Sequence, residues 1–289
     1  MEPFVVAHNL LRAHAFAFSA WRASPTKRAD SLCGITLNGD WATPLNASSP
    51  ADVAAAQTDM EYQMAIFMDP IYYGRWPQSV VQGAGSALPP LDATLIKDTH
   101  VGVYFQNHYT SHYSWANPAG GSGYLGTANV STSGYRHGVP IGLPSSNGWL
   151  FEFPPGLAYN QNWLHARYPE MAFIVTENGW GNQSTSQAED LNDLVRCNFY
   201  RSYLGNMSAN AHASSLSVLG FFAWSVMDNY EWSDGFSTRF GLTFVDFDTN
   251  ERTPKLSLRW FGIVTRQFTT LPVIGQDAFP LCESFLAEL

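Results

Sequence analysis

The chain has 289 residues, 45% of them hydrophobic, which is enough apolar material for a large packed core and excludes an intrinsically disordered segment. Fifteen Lys and Arg stand against 24 Asp and Glu, and the net charge of −9 disfavours nucleic acid as a partner. No apolar run approaches the length of a bilayer span, and length alone allows one large α/β domain or two smaller ones.

From Val6 onward the apolar positions Val6, Leu10, Ala13, Ala17 and Trp21 recur every three or four residues, which predicts a helix almost from the first residue. "CGITLN" at 33–38 predicts a buried strand, and Asp52 opens a second helix with Met60, Met64 and Phe67 on one side. "DPIYYGRWP" at 69–77 is a turn-rich connection. "THVGVYFQNHY" at 99–109 predicts the next strand, followed by a Gly- and Ser-rich loop from about Asn117 to Gly134. Gly156 to Arg167 predicts a helix, "AFIVTE" a strand, Gln187 to Leu204 one long helix, and "SLSVLGFFAWS" at 215–225 a further strand. After Phe261 the pattern dissolves, and Thr265 to Leu289 carries only a slight amphipathic signal. With no internal repeat and no linker, residues 1–289 read as one domain whose end, 265–289, is undefined.

The strands read as continuous apolar runs, the pattern of a parallel sheet covered on both faces. In a parallel barrel the chemistry sits at the C-terminal ends of the strands, where side chains converge on one mouth. "FIVTENGW" at 173–180 places a carboxylate, Glu177, at such an end, between an apolar strand and the turn-forming pair Asn178-Gly179. Asn107 and Tyr109 follow their own strand, Trp224 follows the last, and Glu2 stands just before a helix, where a strand exit belongs. Two carboxylates facing one pocket suit glycosidic bond cleavage, one attacking the anomeric carbon and the other donating a proton to the leaving oxygen. A lone Glu at a strand end is equally a helix cap or half of a surface ion pair, so position by itself does not decide.

Ten Trp and a 15% aromatic content serve core packing first, and flat faces for sugar rings second. Cys33, Cys197 and Cys282, odd in number and far apart, read as buried thiols. Asn-x-Ser/Thr sequons at Asn46, Asn129, Asn182 and Asn206 lean toward the secretory route, although "MEPFVVAHNLL" has none of the marks of a signal peptide. No cluster has metal-ligand spacing, so neither a metal nor another cofactor is expected, and His8, His14, His108, His112 and His165 read as structural.

"FIVTENGW" resembles the nucleophile motif of glycoside hydrolase family 1, the β-glucosidase family, and "AWSVMDNYEWSDGFSTRFGLTFVDFDTNERTPKLSLRWF" at 223–261 resembles its C-terminal signature. "MEPFVVAHNLLRAHA" is similar to the Asn-Glu-Pro acid/base motif with its helix, and "FQNHYTS" to the strand-six segment. Four motifs in the right order cover about residues 1–265. The resemblance implies a (β/α)8 TIM barrel, here incomplete, holding roughly strands five to eight and the exit of strand four. It implies Glu177 as nucleophile and Glu2 as general acid/base of a retaining enzyme. Asn107 and Tyr109 would line the floor, Trp224, Glu231 and Trp232 would bind the sugar, and Phe240 would form a wall. The substrate implied is a small neutral β-O-glycoside or oligosaccharide. An acid at Glu231 would repel a phosphorylated sugar, and thioglucoside-cleaving relatives replace the acid/base with Gln.

The chain departs from the family pattern in two ways. The four early strands, with their sugar-gripping His, Trp and Gln and an Arg near the nucleophile, are not in it, and Met1 replaces the motif's Asn, with its bond to the sugar 2-hydroxyl. A half-barrel leaves unpaired edges near Ile35 and Phe221 and little or no hydrolysis is expected of it alone. The alternatives are a non-catalytic binding or receptor-like barrel, against which both carboxylates argue, and a transglycosidase.

Overall fold

The computed structural model describes residues 2–121, 123–184, 186–267 and 275–288; Met1, where the family's Asn is expected, lies outside them. The strands that position the site are β1 (Thr36–Asn38), β2 (Trp41–Pro44), β3 (Val103–Asn107), β4 (Ser111–Ala116), β5 (Val130–Ser133), β6 (Ala172–Asn178) and β7 (Val218–Ala223). β1, β3, β6 and β7 form one parallel sheet in that order, so β1 and β7 are its edges. Helical connections are what parallel neighbours require. β1 leads through α2 (Pro50–Met60), one π-helical turn and α3 (Ile66–Tyr73) to β3, and β3 through α4 (Pro154–Arg167) to β6. Between β6 and β7 run α5 (Gln187–Leu191) and α6 (Leu194–Ala213), while α1 (Glu2–Ala23) precedes β1 and α7 (Leu256–Gln267) follows β7. β2, β4 and β5 make a second, three-stranded sheet.

The layer between the parallel sheet and its helices is the core. Phe173 of β6 is buried with Leu11, Met60, Met64 and Leu164 from three different helical segments and the π turn, and Val175 with Leu157, Tyr200 and Leu256. The opposite sheet face is not covered. Ile174 is only half-buried, and on β7 Leu219 and Phe222 are 56% and 61% exposed. The continuous apolar runs predict two covered faces; among the described residues the sheet stays open, so only the face toward the helices is buried. Val5, Val6, Leu10 and Phe16 add an exposed apolar stripe along α1.

Three further expectations are corrected. The long helix over Gln187–Leu204 is interrupted at Asn192–Asp193, because Asp193 is captured from afar: its carboxylate accepts from the Ser257 backbone N–H, 64 residues on, at 2.8 Å, and locally from Arg196 Nη1 at 2.5 Å. Cys197 and Cys282 are not thiols but a disulfide across 85 residues, and Cys33 alone is free. Past Phe261 the helix continues to Gln267, and Phe279, Cys282 and Phe285 return to bury themselves in the core near Trp260, whose Nε1 donates to the Pro280 carbonyl at 2.9 Å.

Asp59, at the end of α2, fastens the second sheet. Fully buried, it accepts from His112 Nε2 (2.7 Å), Ser114 Oγ (2.6 Å), Gln63 Nε2 (2.8 Å) and Tyr124 Oη (3.1 Å). Burial works against both charges, but each partner outweighs it: the Asp59 carboxyl sits below its ordinary range and the His112 imidazole above its own. His112 is thus a structural ion-pair partner.

Candidate active site

β6 answers why a carboxylate closes an apolar strand. Along it Phe173 and Val175 are buried toward the helices, so strict alternation would send residue 177 the same way. The register slips instead: Val175 pairs with Gln106 and Glu177 with Asn107, leaving Thr176 as an extra residue. A bulge of this kind re-aims the next side chain. Glu177 therefore reaches the open face, while Asn178 turns inward, is fully buried and donates from Nδ2 to the His108 carbonyl at 2.7 Å. Asn107 holds the bulge, its Oδ1 accepting from Thr176 Oγ1 at 2.7 Å.

Glu177 lines a cavity of about 410 Å³, within the usual range for small-molecule sites. Tyr109 Oη donates to Glu177 Oε2 at 2.7 Å. Burial first, then that bond and the Glu177 charge, push the Tyr109 hydroxyl far above its ordinary pKa, so it remains a donor. The charge-assisted bond fixes one carboxylate oxygen and leaves the other for chemistry. Opposite stands Glu231, accepting from Trp224 Nε1 at 3.3 Å. Burial raises its pKa; the Trp224 bond opposes this, and the charges of Asp234, Asp228 and Glu177 reinforce it.

The walls are aromatic. Trp149 stacks on Phe240 with centroids 6.4 Å apart, and Tyr109 meets the Phe240 edge at 6.0 Å. Trp232 is 79% exposed at the rim, its backbone at φ +49° in the turn where Glu231 N–H donates to the Gly235 carbonyl. Trp224 is pinned from behind: its N–H donates to the Asn178 carbonyl at 2.8 Å and its carbonyl accepts from Tyr200 Oη at 3.1 Å. Gly179 is required there, since a Cβ on it would lie 2.0 Å from the Trp224 oxygen. Below the segment carrying Glu231, buried Asp228 accepts from Lys255 Nζ (2.8 Å), Arg239 Nη1 (2.7 Å) and the Gly241 N–H (3.0 Å).

Of the residues singled out from sequence, Tyr109, Glu177, Trp224, Glu231, Trp232 and Phe240 all line this one cavity. Asn107 lies behind it, at the bulge. Glu2 is exposed at the first turn of α1 and does not line the cavity; the helix end is anchored by Phe4 against Tyr62, ring centroids 6.4 Å apart. Asn38, Asp40 and Trp149 complete the lining and were not singled out. Asp40 satisfies the criterion that selected Glu177, a carboxylate just past a strand end; Trp149 sits in a loop with no signal of its own. Asp40 and Trp149 also border a neighbouring cavity of about 380 Å³.

A larger cavity of about 880 Å³ lies between residues 143–146 and 180–196, but its acids are committed: Asp190 pairs with Arg239 at 3.3 Å and Asp193 with Arg196. Among the described residues there is no cluster of three metal-ligating side chains and no helix long and apolar enough to cross a membrane.

The chain is similar to proteins of known family. The family model described as "Glycosyl hydrolase family 1" matches residues 1–268. Beta-glucosidase 25 of Oryza sativa subsp. japonica is 33% identical over 282 residues, which cover 93% of this chain and 56% of the relative. Beta-glucosidase 1B of Phanerodontia chrysosporium is 35% identical, over 90% of this chain and 49% of the relative. Among solved structures, beta-glucosidase 2 from the fungus Trichoderma reesei, in complex with Tris, superposes with a TM-score of 0.87 at 34% identity, over 93% of this chain and 60% of that one. The chain thus spans about half the length of the curated relatives it matches.

Proposed function

Because the chain belongs to glycosyl hydrolase family 1, we propose that it carries the nucleophile side of a retaining β-glycosidase site, with Glu177 as the attacking carboxylate. The observation that carries this reading is the Tyr109–Glu177 hydrogen bond of 2.7 Å inside an aromatic-walled cavity that also holds a second carboxylate, Glu231. The free Glu177 oxygen attacks the anomeric carbon, and the aryl hydroxyl of Tyr109 keeps the carboxylate oriented. Glu231 accepts hydrogen bonds from outer sugar hydroxyls, and Trp224 and Phe240 bracket the ring. The role of general acid to the leaving oxygen, and then of base to water, is assigned to Glu2 from the resemblance of its motif alone, since Glu2 lies at the exposed start of α1, outside the cavity.

The names of the relatives favour a neutral β-glucoside as substrate. The open edges of β1 and β7, and the exposed Leu219 and Phe222 beside them, are the places where four further strands of an eight-stranded barrel would pair and pack. On this reading the chain alone turns over little substrate.

The test is mass spectrometry after exposure to an activated fluoroglucoside with a dinitrophenolate leaving group, which traps a glycosyl-enzyme. The chain is assayed alone and co-expressed with the N-terminal half of the Phanerodontia β-glucosidase 1B. We expect an adduct on the peptide containing Glu177 in the co-expressed form, absent from Glu177→Gln. An adduct on a different carboxylate, or inversion at the anomeric carbon, refutes the mechanism. Fast hydrolysis of a chromogenic β-glucoside by the chain alone, lost in Glu177→Ala, refutes the need for further strands.

A further inference from the structure

The four sequons stand in four different structural settings. Asn206 lies inside α6, and its Nδ2, the atom a glycan would occupy, donates to the Ser202 carbonyl at 3.0 Å. Asn182 is half-buried and exchanges two backbone hydrogen bonds with Arg239, at 3.1 and 2.9 Å, while its Oδ1 accepts from Ser146 Oγ. At Asn206 a glycan would compete with the Ser202 bond for Nδ2 inside the helix, and at Asn182 the obstacle is the half-buried side chain, since none of its hydrogen bonds uses Nδ2.

Asn46 and Asn129 differ from both. Asn46 is exposed just past β2, where its Oδ1 accepts from the Ser48 N–H two residues on at 3.0 Å, a turn that keeps it out of the sheet. Asn129 is exposed at φ +54° in the turn before β5. The register of the three-stranded sheet puts the two together. β2 runs parallel to β4 from Trp41↔Ser111 to Pro44↔Ser114, and β5 runs back along β4 from Ala116↔Val130 to Tyr113↔Ser133. The end carrying Asp40, Thr110 and Ser133 borders the neighbouring cavity, and the opposite end carries Asn46 and Asn129. A glycan on either would project from the edge away from the cavities. The Cys197–Cys282 disulfide is a second, independent observation, because such bridges form and persist in oxidising compartments, where the glycosylation machinery also works.

We propose that Asn46 and Asn129 are N-glycosylation sites, and that Asn182 and Asn206 are not. The donor is an oligosaccharide linked through diphosphate to a polyprenyl lipid. The amide Nδ2 of Asn attacks C1 of its first sugar, the N–C1 bond forms as the C1–O bond to the diphosphate breaks, the lipid diphosphate leaves with the electron pair, and the amide proton passes to base. This inference is independent of the glycosidase reading.

The test expresses the whole chain behind a cleavable secretion signal in yeast and scores only molecules whose Cys197 and Cys282 resist alkylation. Endoglycosidase treatment should remove two glycans. Asn46→Gln and Ser48→Ala should each delete the same one. Asn129→Asp, which tolerates the left-handed backbone, should delete the other, and the double variant should not shift. Enzymatic release in isotopically labelled water should mark Asn46 and Asn129 as Asp. An unshifted band, or a mark on Asn182 or Asn206, overturns the proposal.

Discussion

Removing the bridge between Cys197 and Cys282 is the sharpest test of how the C-terminal segment holds the core. The bridge closes a loop of 85 residues. By loop-closure entropy its loss frees the unfolded chain by about 4.5 kcal/mol at 25 °C. Both cysteines are fully buried with Trp260, Phe279 and Phe285, so the double variant Cys197→Ala with Cys282→Ala keeps the surroundings apolar and removes mainly the link. Urea unfolding followed by Trp fluorescence, at a slope of about 3 kcal/mol per molar, should show the midpoint falling by about 1.5 M. Reductant should shift the parent chain by the same amount and leave the variant unmoved. A midpoint change below about 0.3 M, or equal sensitivity of parent and variant to reductant, would refute the reasoning.

The pH dependence follows from Asp59 and His112. The raised His112 pKa means its contribution is complete below its ordinary value of about 6.5 and is lost as pH climbs through the raised value; the lowered Asp59 pKa means its contribution is complete above about 3.9 and is lost as pH falls through the lowered value. The urea midpoint should therefore decline as pH rises above about 6.5, and His112→Gln should flatten that limb; a parallel decline in the variant would exclude the pair as its source. Gly179→Ala, with its Cβ 2.0 Å from the Trp224 carbonyl oxygen, should cost about 1–3 kcal/mol and change the near-UV circular dichroism of the Trp-rich cavity; an unperturbed spectrum contradicts the close approach. Tyr109→Phe removes one hydrogen bond to a charged group, about 1.5–3 kcal/mol, so trapping at Glu177 in the co-expressed assembly should slow about ten- to hundredfold; a change within twofold would show the bond idle.

The four parallel strands were legible because each is a β-branched or aromatic run bounded by turn residues, and six of the eight residues singled out for the site converge on one cavity. What escaped depends on partners distant in sequence. Leu191, Leu194 and Val195 continue a helical period without a flaw, and only Ser257, 64 residues beyond Asp193, interrupts it. Three separated cysteines contain no pairing rule; the bridge exists because the C-terminal segment folds back onto α6. The apolar β7 pattern predicts two covered faces, yet Phe222 faces open space, since a residue's hydrophobicity reports its preference and not its neighbour. Asp40 was overlooked in a stretch rich in turn formers, where a carboxylate draws no notice.

The slip in pairing between Val175 and Glu177 makes the acid's orientation a matter of counting. Excising Thr176 would leave every reactive group chemically intact, yet would rotate position 177 by half a strand period, out of the water and into hydrocarbon. Insertions and deletions here would act as a parity switch, and a homologue can lose the chemistry while retaining each letter that names it.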